Sequence, residues 1–277
     1  MRARRRLFAT AGVLLFTMVC AGLIIFPYYW MIVSSVAPTA LHEWPPQLWP
    51  RGATLDAYRR IFAERPMLVW LQNTSVVAGC TAALCCIVSI NAGYALSRFR
   101  GRLPTGFGIF VLVTQMLPAT LIVVPLYVIF RQLGLYNSLT GLIIADTAFT
   151  LPLATWLMRG FFDRIPTDLE QQAEIDGCTR LGAFYRITLP LSVPGIVVVT
   201  VFAFISAWDE FFLARTLISS QDNWVLSVAL TSFEGQYSIA WDEMMATSVI
   251  FALPVAVFFL FIQRYLVDGM TSGALKG

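Results

Sequence analysis

Three carboxylates, Asp146, Asp209 and Glu210, stand in or beside long apolar runs of this sequence, with Asn91, Gln115 and Trp208 as neutral companions. A carboxylate at the centre of a bilayer costs roughly 2.5–3.5 kcal/mol on insertion scales, so it faces a water-filled cavity or a partner chain. The chemistry open to such a set is binding: acids and amides that hold polar groups, and an indole face that stacks on a ring. Two plainer placements stay open. Asp209 and Glu210 can sit near a membrane interface, where charge is cheap, and Asp146 can bond a partner subunit. Catalysis is not indicated. The one histidine, His42, lies in a loop without a Cys/His/Asp cluster, so no metal site and no catalytic residue is expected. No Gly-x-x-x-x-Gly-Lys loop occurs that would cradle a phosphate. Any ATP hydrolysis must therefore come from another chain.

A second group of residues is polar and lies between two apolar runs, in the stretch EQQAEIDGCTRLGAFYRITLP at 170–190. Thr167 with Glu170 three residues later has the spacing of a capping box. A first helix over about 168–175 then ends at Gly177, a natural left-handed position. Thr179 caps a second helix, on which Leu181, Phe184, Tyr185 and Thr188 share one face. Pro190 stops it and leads into the next apolar run. Crossing a membrane needs no such hairpin. Docking a soluble partner does, by an apolar helix face laid in a groove.

The elements that must position both groups are helices. Of the 277 residues 58% are hydrophobic and 13% charged, against about a quarter charged in soluble domains. Six apolar runs, at 7–32, 68–94, 106–130, 139–157, 195–213 and 244–262, are each long enough to cross as a helix. The pattern predicts an all-α polytopic membrane protein with six transmembrane helices, forming a single transmembrane domain over 1–277. The fifth run is the weakest, because Asp209 and Glu210 interrupt its far end. Pro118, Pro125, Pro152 and Pro254 bend spans three, four and six, either as ordinary kinks or as parts of a pathway. Arginines cluster before span one and in the two–three and four–five connections, and basic residues follow span six. The positive-inside bias thus places both termini and the hairpin in the cytoplasm. The first run is too long for a signal peptide and reads as an uncleaved span. The first outer loop, 37–66, is irregular over PTALHEWPPQLWPRG. It continues into a short surface helix, LDAYRRIFAE, with Leu55, Tyr58, Ile61 and Phe62 on one face. The five cysteines read as small hydrophobes of helix packing. The net charge of +3 does not point to nucleic acid.

The stretch 170–190 resembles the EAA loop of ABC importer permeases. That pattern is Glu-Ala-Ala, three variable residues, Gly, nine variable residues, then Ile, any residue, Leu-Pro. Ala173, Gly177, Ile187, Leu189 and Pro190 stand at the family spacing, and Asp176 matches the common Asp-Gly. The family's Glu-Ala falls instead on Gln171 and Gln172, and Glu170 comes one residue early, about 100° around the helix. Glu170 either caps its helix or stands in for the family acid. NAGYALSRFRGR at 91–102, QMLPATLIVVPLYVIFRQLGLYNSLTGLII at 115–144, LPLATWLMRGFF, FISAWDEFFLA and QRYLVDGMTSGALKG are similar to the carbohydrate-importer branch, of the maltose-transporter type.

The resemblance implies a multi-pass permease subunit in the cell (inner) membrane of a bacterium or archaeon. It implies a second six-span permease, an ATPase dimer that binds ATP and Mg, and an extracytoplasmic solute-binding protein, with no cofactor in this chain. ATPase coupling would fall to Glu170, Gln171, Gln172, Ala173, Asp176, Gly177, Leu181, Phe184 and Pro190. The solute would be a sugar, oligosaccharide, polyol or glycerophosphodiester. It would meet Asn91, Gln115, Asp146, Trp208, Asp209 and Glu210, with Trp208 stacking on a sugar ring, or meet only the partner permease. The tail TSGALKG either reaches the ATPase interface or is a free end. The alternative is a gradient-driven secondary transporter of a small polar solute, which needs intramembrane ion ligands and has no use for the hairpin.

Overall fold

Long apolar runs become long helices here, and breaks occur where proline or polar residues interrupt them. The computed structural model describes residues 2–37, 48–99, 101–235 and 239–274. His42, the segment 38–47 and the last three residues of the C-terminal tail lie outside the described residues. In chain order the helices are α1 (Arg2–Val36), α2 (Asp56–Glu64), α3 (Met67–Arg98), α4 (Arg102–Thr114) and α5 (Ala119–Gln132). They continue with α6 (Leu139–Phe162), α7 (Asp168–Ile175) and α8 (Arg180–Ala183). A π-helical turn, Phe184–Thr188, leads to α9 (Leu189–Leu191), α10 (Val193–Trp208), α11 (Phe212–Leu217), α12 (Leu226–Ala229) and α13 (Trp241–Ala274). Among the described residues the β-structure is a single bridge, Glu234 with Ile239.

Four of these helices contain segments long and apolar enough to cross a membrane: Gly12–Val36, Met67–Arg98, Leu139–Phe162 and Trp241–Leu260. The count rises to six if each of two bent pairs is one span. The third apolar run breaks by 96° between α4 and α5, where Pro118 sits at the N-cap of α5 and cannot supply the N–H a continuous helix needs. The fifth run is shorter than its apolar length suggests. Its helix stops at Trp208 and restarts at Phe212, and the approach through α8 and α9 meets α10 at 72°.

The chain forms two compact units. One comprises the chain up to Met67 with Leu230–Pro254. In it α2 buries Ala57 and Ile61 while Leu55 and Phe62 stay exposed. The buried stripe is thus narrower than the sequence spacing predicts. Arg60 fixes α2 by pairing with Asp242 and, at 3.0 Å, with Glu243, at the acidic first turn of α13.

The other unit comprises Leu68–Ala229 with the chain from Val255 on. Among its described residues two core clusters stand out. One gathers Val77, Val123, Phe130, Leu142, Leu217 and Val228. The second gathers Cys85, Ala154, Met158, Phe162, Phe184 and Val199, and so joins α3, α6 and α10 to the hairpin. Gly195 lets α10 lie directly on Phe161, since a Cβ there would stand 2.4 Å from the ring. Polar side chains staple the segment after α11. Asn137 Oδ1 accepts from the Ser219 and Ser220 amides, and Asn73 Nδ2 donates to the carbonyls of Asp222 and Trp224.

Candidate functional site

The hairpin is the site whose local sequence is most constrained. α7 spans Asp168–Ile175 as its sequence predicts. Gly177 then takes φ 93°, and the Cys178 amide donates back to the Ala173 carbonyl at 2.9 Å. This is the left-handed exit that a side chain with a Cβ resists. Thr179 caps the second helix, its Oγ1 accepting from the Gly182 amide at 3.1 Å.

Two expectations need correction. Thr167 has helical dihedrals and makes no side-chain cap bond, so the predicted capping box does not form. The second helix widens into the π turn, which breaks the 3.6-residue periodicity. Phe184 and Thr188 turn inward and are buried, whereas Leu181 and Tyr185 stay 69% and 60% exposed. The four do not share a face.

Glu170 faces the protein interior. Its side chain is 9% exposed and that of Arg98, at the end of α3, 5%. Glu170 Oε1 accepts from Arg98 Nε at 2.9 Å and from Thr188 Oγ1 at 2.6 Å, and Oε2 accepts from the Tyr94 hydroxyl at 2.9 Å. Burial pushes the Glu170 carboxyl pKa up, but the hydrogen bonds from Thr188, Tyr94 and Arg98 and the charge of the guanidinium outweigh it and hold the pKa below the usual range. Arg98 spends its other donors on Ser97 Oγ and on the carbonyls of Phe162 and Ile165. The rings of Tyr94, Phe162 and Phe184 pack around the pair. Glu170 is thus neither a helix cap nor a free acid for another chain.

Of the other residues singled out in the hairpin, Ala173 and Phe184 are also buried. Gln171, Gln172, Asp176, Gly177, Leu181 and Pro190 are exposed. Ile175, which the motif does not mark, is 85% exposed at the tip. Beside the root of α7 lies a polar recess of about 480 Å³, lined by Ser97, Arg98, Asp163, Thr167 and Gln171 among others.

Of the pathway candidates, Asp146 and Glu210 lie within electrostatic range of each other. Asn91 is exposed on α3 and bonds only its own helix, at Ile87 O. Gln115 is exposed at the α4–α5 break and donates to Phe149 O. Asp209 is exposed at the break after α10. Glu210 caps α11, accepting from the Leu213 and Ala214 amides at 2.8 and 2.9 Å. Asp146 is 2% exposed, and neither carboxylate oxygen has a hydrogen-bond partner. Trp208 is buried and stacked on Phe204, so its face is not open to a sugar ring.

Sequence reasoning missed Tyr94 and Arg98, and placed Thr188 on an apolar face instead of against Glu170. Arg98 counted only as one more basic residue near a helix end. A signal existed in the pairing of an arginine at the end of one apolar run with an acid one position off its motif.

A family model described as "Binding-protein-dependent transport system inner membrane component" matches residues 75–272. The chain is 35% identical over 254 residues to the sulfoquinovosyl glycerol transport system permease protein of Agrobacterium fabrum, covering 91% of this chain and 89% of that one. It is 32% identical over 255 residues to the diacetylchitobiose uptake system permease protein of Streptomyces coelicolor, covering 92% of each. Among solved structures, a chain from a bacterial ABC transporter involved in the import of the acidic polysaccharide alginate shares the fold. Its TM-score is 0.80 at 23% identity, over 94% of this chain and 96% of that one.

Proposed function

Because this chain belongs to the family of binding-protein-dependent transport system inner membrane components, we propose that it is the permease subunit of an ATP-binding-cassette importer for a carbohydrate-type solute. It is a multi-pass membrane protein and a non-catalytic transport subunit. The whole chain acts as one permease domain of six spans, with both termini and the hairpin in the cytoplasm of a bacterium or archaeon, as the arginine distribution favours. It pairs with a second six-span permease. A separate ATPase dimer binds ATP and Mg, and an extracytoplasmic binding protein delivers the solute. A sugar or glycoside is supported by the names of the relatives from Agrobacterium and Streptomyces.

The observation that carries this reading is the hairpin: Ile175, Leu181 and Tyr185 project outward from a base in which buried Arg98 and Glu170 are paired with each other. Apolar side chains on an exposed tip fit a groove in a soluble partner, and the exposed charges beside them, Glu174 and Asp176 next to Ile175, Arg180 next to Leu181 and Arg186 next to Tyr185, call for a partner rim of both signs. When the ATPase closes on nucleotide the hairpin moves with it. α9 leads through Ser192 into α10, so this motion turns α10 and biases the cavity between two states. Asn91, Gln115 and Asp209, exposed on or beside apolar helices, are the groups we assign to the solute pathway.

The test is co-purification of the tagged chain from its native membrane, with Ile175→Asp and Leu181→Asp alongside. Recovery of a soluble ATPase and a second six-span chain, lost in both variants, is the expected result. Recovery of this chain alone, with uptake that survives ATP depletion but not an uncoupler, overturns the reading in favour of a gradient-driven carrier.

A further inference from the structure

We propose that Arg98 and Glu170 are positioning residues that make α3 move with the hairpin, so that nucleotide-driven motion enters the helix bundle at two helices rather than at α10 alone. This rests on the importer reading above.

The covalent route from hairpin to bundle is short and bent, through α9 and the 72° turn at Ser192. The side-chain route is separate from it. Of the three donors on Glu170, Tyr94 and Arg98 come from α3, and Thr188 from the π turn just before α10. Two further guanidinium N–H groups bind carbonyls at and just beyond the end of α6. One buried pair thus fastens α7, α3, the end of α6 and the approach to α10.

Apolar contacts between helices tolerate sliding, because one methyl replaces another. A buried ion pair does not, because any shift of α7 against α3 leaves both charges unpaired inside the protein. Water approaches the pair from the polar recesses at the root of α7 that Arg98 and Glu170 line, but the two side chains are only 5% and 9% exposed. On the other side Phe184 is buried, its ring centroid 4.4 Å from that of Tyr94, and Phe162 meets Tyr94 edge-on. Motion is therefore confined to the outer ends of α3 and α10, and the root of the hairpin travels as one body. The cost of the π turn has a purpose on this account. It rotates Thr188 inward to the carboxylate while leaving Leu181 and Tyr185 outside.

The test is a distance measurement between spin labels in the assembled transporter. One label sits on the native Cys80 of α3, which is exposed, and one on Asp168→Cys at the start of α7, with the other four cysteines replaced by alanine. The distance is compared between the nucleotide-free and the ATP–vanadate-trapped complex. We expect no change in the otherwise wild-type complex. In Glu170→Gln we expect a shift of about 2 Å or more, the scale of helix movements in switching proteins. Should Glu170→Gln fail to assemble, Arg98→Lys keeps the charge but loses the fork that reaches the α6 carbonyls, and a shift is expected there too. A shift in the wild-type complex, or none in either variant despite vanadate trapping, overturns the inference alone. A wild-type chain that assembles with no ATPase overturns the importer reading and this inference with it.

Discussion

Arg98 Nε and Glu170 Oε1 lie 2.9 Å apart across 72 residues of sequence, and both side chains are more than nine-tenths buried. Removing one member leaves the other charged and enclosed, which costs about 3–5 kcal/mol in comparable buried pairs, whereas replacing both by apolar groups is often neutral. Glu170→Ala and Arg98→Ala should each lower the melting temperature of the purified complex markedly. The double variant Arg98→Met/Glu170→Leu should lose less than the two single losses added, although Tyr94, Thr188 and the Phe162 and Ile165 carbonyls lose a partner in it. A double variant as unstable as the two single losses added would show that the residues do not act as a pair.

The pair also sets a pH dependence. The Glu170 pKa is lowered from 4.5 in the folded chain, so its contribution to stability is complete above 4.5. It is lost as pH falls from there through the depressed folded value. Protease resistance of the hairpin should therefore be level from neutral pH down to about 5 and then decline, and Glu170→Gln should lack that decline. Equal acid sensitivity of the two chains would assign the effect to other carboxylates.

Gly177 is a backbone requirement rather than a packing one. Its φ is 93°, and a Cβ there would meet nothing within 4 Å. Gly177→Val should cost about 1–3 kcal/mol through strain alone, leaving membrane insertion intact and weakening ATPase co-purification. Gly177→Asn should cost less, since asparagine tolerates the left-handed region. Identical losses for both would mean that the surface, and not the turn, is what the partner reads.

The contrast between Gly177 and Glu170 shows which parts of the site the sequence carries. Gly177, Thr179 and the ends of α7 follow from rules that act over four residues, and the structure has them where the pattern predicts. The partners of Glu170 are 72, 76 and 18 residues away, and a local rule, the capping box, offered a competing use for the same acid. The π turn defeated the helical wheel, so Phe184 and Thr188 left the face of Leu181 and Tyr185. Trp208 was misjudged for a similar reason. The helix ends at that residue, which is 1% exposed with the Phe204 ring stacked on it.

Gly195 tests the packing between the hairpin side of α10 and α6. A Cβ at this position would sit 2.4 Å from Phe161 Cγ, closer than atoms can approach. Gly195→Ala should destabilise by about 1–3 kcal/mol, as overpacked cores do. Gly195→Ala with Phe161→Ala, which removes the Cγ and Cδ2 that the new Cβ would meet, should lose less than the two single changes added, read as the melting temperature of the solubilised chain. Losses that simply add would mean that the clash is relieved by moving α10 as a whole.

Asp146 is the opposite case from Glu170: a carboxylate in an apolar helix, 2% exposed, with both oxygens unpaired. An unsatisfied buried polar group costs about 1–3 kcal/mol and a charged one more. Asp146→Val, close in volume and without polar atoms, should therefore raise the melting temperature of the isolated chain. Uptake by the assembled transporter should fall at the same time, because acids kept inside membrane helices at such cost serve function rather than stability. A destabilised Asp146→Val chain would instead place a bridging water on the carboxylate. Raised stability with undiminished uptake would mean that Asp146 has no part in transport.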